Sequence, residues 1–62
     1  MTNFVSLHGS KVGPLNELPT VEEAKALFNE YGFSDVWSLN HRIVTEGDTQ
    51  TLELYAKSGG LG

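Results

Sequence analysis

One amphipathic helix stands in the middle of this chain, and its position dictates what the flanking residues must become. Thr20 and Glu23 form a T-x-x-E capping box, in which each side chain satisfies a backbone N–H that the first helical turn leaves open. Val21, Ala24, Leu27, Phe28 and Tyr31 recur at helical spacing and make a single apolar stripe, while Glu22, Lys25, Asn29 and Glu30 fall on the wetter surface. Gly32 then supplies a left-handed cap, with Phe33 placed for the apolar contact of a Schellman motif. The pattern predicts a helix over about Val21 to Tyr31. A helix with one apolar stripe must bury it against another layer, and the only material for that layer lies in the runs before and after it.

Those runs read as strands. In Phe4-Val5-Ser6-Leu7-His8, Val5 and Leu7 fall on one face and Phe4, Ser6 and His8 on the other. Gly9-Ser10 reads as a tight two-residue turn of the Gly-first kind. Lys11-Val12-Gly13 begins a return that Pro14, lacking a backbone donor, limits to a short edge strand. Beyond the helix, Val36 to Thr45 reads as one extended segment with Trp37, Leu39, His41 and Ile43 on one face. Glu46-Gly47-Asp48 is a turn, and Thr49 to Lys57 returns with Leu52, Leu54 and Ala56 facing inward. The order strand, strand, helix, strand, strand, with first and last strands side by side at the centre, gives a mixed sheet 2-1-4-3. That is an α+β fold, a minimal ββαββ β-grasp with four strands and one helix packed on one face. A plain meander with the helix beside it, dimerised along an edge strand, is the rival. Residues 1–57 form one domain, and 58–62, Ser-Gly-Gly-Leu-Gly, read as a mobile tail.

Composition narrows the function. A domain of about 60 residues buries only about 60% of the surface its unfolded chain exposes. With no cysteine among 62 residues, neither a disulfide, a thiolate zinc site nor a cysteine nucleophile is possible. Eight acidic residues against four Lys and Arg leave a net charge of −4. Lys11, Lys25, Arg42 and Lys57 are scattered singly, whereas phosphate binding requires clustered cations, so direct nucleic-acid binding is not expected. No run approaches a membrane span and no signal peptide is evident, which makes a cytoplasmic location the default. No P-loop, dinucleotide fingerprint or nucleophile elbow occurs, and His8 and His41 carry no metal-ligand spacing. The adjacent Glu22 and Glu23 point apart on the helix. Trp37 reads as a packing residue. No catalysis and no cofactor are expected.

Val5-x-Leu7-x-Gly9, Thr20-Val21-Glu22-Glu23, Val44-x-Glu46-Gly47-Asp48 and the glycine-ended tail together resemble the protein C family of PRTRC systems and, more broadly, compact bacterial ubiquitin-like proteins. The resemblance spans most of the chain on short motifs. It implies a β-grasp body whose C-terminal carboxylate is adenylated by a ThiF-type activating enzyme and passed to a target. The conjugation terminus would be Gly62, with Gly59 and Gly60 keeping the segment slim. Sulfur carriers and ubiquitin end in two adjacent glycines, whereas this chain ends Gly-Leu-Gly. Either Gly62 reacts, with Leu61 as a recognition handle, or removal of Leu61-Gly62 exposes Gly60.

A second surface matters under any function. The sheet face away from the helix is expected to carry Phe4, Ser6, His8, Ser38, Asn40, Arg42, Thr51, Glu53 and Tyr55. Tyr55, Arg42 and Phe4 would make a docking patch there, because interfaces favour aromatics and arginine. Three kinds of function compete: a ubiquitin-like modifier or carrier, a pure binding module such as a phage- or plasmid-encoded inhibitor, and a structural element of a larger assembly. The body is expected to be a monomer or weak dimer.

Overall fold

The helix forms where the capping signals put it. In the computed structural model, which describes residues 1–56, α1 runs Val21–Glu30. Glu23 N–H donates to Thr20 Oγ1 at 3.1 Å, and Thr20 N–H donates to Glu23 Oε1 at 3.0 Å. At the other end Phe33 N–H reaches Phe28 O and Gly32 N–H reaches Asn29 O, both at 3.1 Å. This is the Schellman pair, closed by the Phe28 and Phe33 rings 5.8 Å apart and nearly perpendicular. Tyr31, expected as the last stripe residue, is the C-cap instead and remains exposed, its ring edge-on to Phe28.

The strands are β1 (Thr2–Leu7), β2 (Ser10–Leu15), β3 (Asn40–Glu46) and β4 (Thr49–Tyr55). They form one sheet of order β2-β1-β4-β3. The β1–β4 pair at its centre is parallel, and both hairpins are antiparallel. This is the mixed, four-stranded ββαββ arrangement expected from the order of elements. Val5 and Leu7 of β1 stand beside Leu52 and Leu54 of β4. With Ala24, Phe28 and Val36 they make the core, each at most 2% exposed. Burying Phe28 alone contributes about 2–3 kcal/mol.

The first hairpin differs from its sequence reading. Its turn is His8-Gly9, with φ of 50° and 85°, and Leu7 pairs with Ser10. Two positive φ values make it a type I′ turn, whose twist matches that of the strands, and His tolerates the left-handed region better than most residues. β2 carries a bulge opposite Phe4, since Asn3 pairs with Leu15 but Val5 pairs with Val12. That extra residue lets both Val12 and Leu15 turn toward the core, and Pro14 falls where the ladder is already interrupted. β2 is accordingly longer than expected. Asn3, outside the expected strand, is buried and anchors the bulge: its Nδ2 donates to Leu15 O and Asn16 O, each at 3.3 Å.

The second half also departs from a single extended run. Val36–Ser38 is a 3₁₀ turn, held by Leu39 N–H to Val36 O at 3.1 Å and by the Ser38 hydroxyl to Asp35 O at 3.0 Å. The turn rotates Val36 into the core and leaves Trp37, expected as a packing residue, 55% exposed. The Lys25 ammonium donates to Trp37 O at 3.3 Å and ties the turn to the helix. β4 stops at Tyr55, so Ala56 is exposed and does not continue the inward-facing series. The helix lies over the centre of the sheet and leaves the same side of β3 open, where His41, Ile43 and Thr45 are all exposed.

Candidate functional site

The sheet face away from the helix is built from residues that alternate with the core, and the register shows which become neighbours. Ser6 stands between Lys11 and Glu53, and Glu53 between Ser6 and Arg42. A row Lys11–Ser6–Glu53–Arg42 therefore crosses all four strands. One row along, Phe4 faces Thr51 and Thr51 faces Val44. Beyond Arg42, Asn40 pairs with Tyr55.

Two cations flank the face, and each lies over an aromatic ring. The Arg42 guanidinium is 5.3 Å from the Tyr55 ring centroid and donates from Nε to Glu53 Oε1 at 2.8 Å. The Lys11 ammonium lies 5.1 Å from the Phe4 centroid. The hydrogen bond to Glu53, and then its charge, raise the Arg42 pKa above the ordinary arginine value, so Arg42 keeps its charge throughout the accessible pH range. An exposed pair of this kind adds little to stability. Its effect is to hold a guanidinium over an aromatic ring, a unit suited to recognising a carboxylate or the edge of another aromatic side chain.

Phe4 is positioned by the bulge. It packs on Gly13, where an added Cβ would come within 2.5 Å of Phe4 Cδ1. Arg42 and Tyr55 thus come together as expected, while Phe4 belongs to a second cluster with Lys11, on the far side of Ser6 and Thr51. His8 and Ser38 do not belong to this face. His8 sits in the β1–β2 turn with its ring 6.3 Å from Phe33, and Ser38 ends the 3₁₀ turn. Lys11 and Val44 were missed by pattern reading. The β1–β2 register that places Lys11 beside Ser6 is set by the turn falling at His8-Gly9, and the alternation along β3 would have assigned Val44.

Among the described residues no group of three or more His, Asp or Glu is close enough to share a metal ion, and no helix is long and apolar enough to cross a membrane. Gly59, Gly60, Leu61 and Gly62 lie outside the described residues.

The chain matches no family model, no curated protein and no solved structure.

Proposed function

We propose that this chain is a ubiquitin-like modifier or carrier: a non-catalytic body, recognised by partner proteins, that offers a glycine-rich segment to a ThiF-type activating enzyme. The supporting observation is the ββαββ sheet with a parallel β1–β4 centre, from whose central strand the Ser-Gly-Gly-Leu-Gly sequence follows almost directly. A central strand is fixed on both sides by ladders, so a segment leaving it starts from a defined point. Glycines there admit a carboxylate to a narrow ATP-containing site, because no side chain obstructs the reacting carbon. Adenylation joins the carboxylate oxygen to the α-phosphorus of ATP and releases pyrophosphate. A thiol, amine, hydroxyl or sulfide of the acceptor then displaces AMP. The reacting carboxyl is that of Gly62, or of Gly60 after removal of Leu61-Gly62.

The test is intact mass after incubation with ATP, magnesium and a ThiF-type enzyme from the same genome. The expected product is an adenylate, thioester or thiocarboxylate that forms on the native chain and not on one lacking Gly59–Gly62. With an enzyme active on its own substrate, absence of any product overturns the carrier reading.

A second reading, a pure binding module, is favoured by the Arg42–Glu53–Tyr55 unit on an otherwise polar face. It predicts that Arg42→Ala and Tyr55→Ala abolish capture of a partner while removal of residues 58–62 leaves capture unchanged.

A further inference from the structure

The two edges of the sheet are not equivalent. β2 is interrupted by its bulge, carries Pro14 without an N–H, and bears Lys11, three of the devices by which edge strands resist pairing. β3 has neither bulge nor proline, and its charges are Arg42 and Glu46, of opposite sign. Its seven residues, Asn-His-Arg-Ile-Val-Thr-Glu, contain no proline, glycine or lysine and pair with β4 in unbroken register.

The ladder shows which β3 groups face outward. Gly47-Asp48 is a two-residue turn closed by the Glu46–Thr49 pair, so alternation along an antiparallel ladder turns the backbone groups of Asn40, Arg42, Val44 and Glu46 toward β4. The bond from Thr2 N–H to Asp48 O, 2.7 Å, agrees, since it turns the even-numbered residues of β4 toward β1 and the odd-numbered ones toward β3. The N–H and C=O groups of His41, Ile43 and Thr45 therefore point to the open edge. Their side chains lie on the helix side, where the helix does not reach, and Ile43 at the strand's midpoint is 52% exposed.

We infer that β3 pairs antiparallel with β3 of a second copy of this chain, about a two-fold axis at Ile43. The occupant is chosen by self-complementarity. With Ile43 opposite Ile43 of the second copy, His41 faces Thr45, Arg42 faces Val44 and Asn40 faces Glu46. No like charges oppose one another, and the three residues with outward-facing backbone groups meet their counterparts in bonded pairs. An axis at Arg42 would instead set two guanidiniums face to face, which is destabilising. The axis stands perpendicular to the sheet, so both helices lie on one side and the two Ile43 side chains share the floor between them. The interface is isologous, and the guarded β2 edges close the assembly at eight strands.

Sedimentation equilibrium across micromolar to millimolar concentration tests this, with Ile43→Lys and the milder Ile43→Thr beside the native chain and Lys11→Glu as a β2-edge control. The expected result is a native mass rising to two copies, unchanged in Lys11→Glu, with association weakened at least about tenfold in either Ile43 variant that retains the native circular dichroism. Amide exchange at His41, Ile43 and Thr45 slows as concentration rises. A native chain of single mass at every concentration overturns the inference, including the case in which a strand from a different protein uses this edge. So does a dimer that forms equally well in the folded Ile43 variants, or one that leaves those three amides fast.

Discussion

Among the glycines of the described residues, Gly13 carries the most constraint. Its φ is 146°, and an added Cβ would meet Asn3 O at 2.8 Å as well as the Phe4 ring. Gly32, with φ of 105°, has open space around it. The two glycines separate backbone strain from collision. Gly32→Ala is expected to cost about 1 kcal/mol, from conformation alone, and Gly13→Ala about 2–3 kcal/mol because the bulge or Phe4 must also move. Urea unfolding of both variants measures the difference, and equal losses would show that the bulge yields freely. Gly13 was read from the sequence merely as the end of a short strand. A glycine before a proline signals an irregularity, but which strand absorbs it depends on Val12 and Leu15 both reaching the core, a condition that operates at a distance from Gly13 itself.

At the scale of elements, legibility followed how local the governing interactions are. The helix was readable almost to the residue because its start is set by Thr20 and Glu23 and its end by Gly32 and Phe33, all within one turn of the boundary. Thr20→Ala should therefore lower stability by about 1 kcal/mol, and adding Glu23→Ala should cost less than the sum of the two single changes, because one reciprocal pair is being broken. Phe28→Ala, at about 3–5 kcal/mol, removes the residue that joins helix, cap and core. A 62-residue domain holds only about 3–9 kcal/mol in total, so this variant is expected to lose about half or more of its stability, read as a lowered urea midpoint by circular dichroism. The 3₁₀ turn at Val36–Ser38 was not readable. Alternation of Trp37 and Leu39 mimics a strand, and only the need to cover the end of the core with Val36 favours the other solution. The outer face was legible in its Arg42 and Tyr55 unit, which follows from plain alternation about the β3–β4 turn, and illegible at Lys11, whose pairing with Ser6 depends on the turn falling at His8-Gly9.

Considered as a whole, the molecule is divided by charge. Glu17, Glu22, Glu23, Glu30 and Asp35 lie in the helix and its connections with only Lys25 to oppose them, whereas the outer sheet face sets Lys11 and Arg42 against Glu53 and Glu46. A partner reading the sheet face meets a nearly balanced field, and one approaching the helix meets an acidic one. The two layers are joined through a core whose halves lie far apart in the sequence, because β1 finds its parallel neighbour in β4, Thr2 opposite Thr49. β1 thus waits for β4 to be made. At roughly 5–20 residues per second, Val5 and Leu7 are made on the order of seconds before their β4 neighbours. For that interval Val5 and Leu7 lack the neighbours that cover them in the fold, the state in which short apolar runs are open to a holdase.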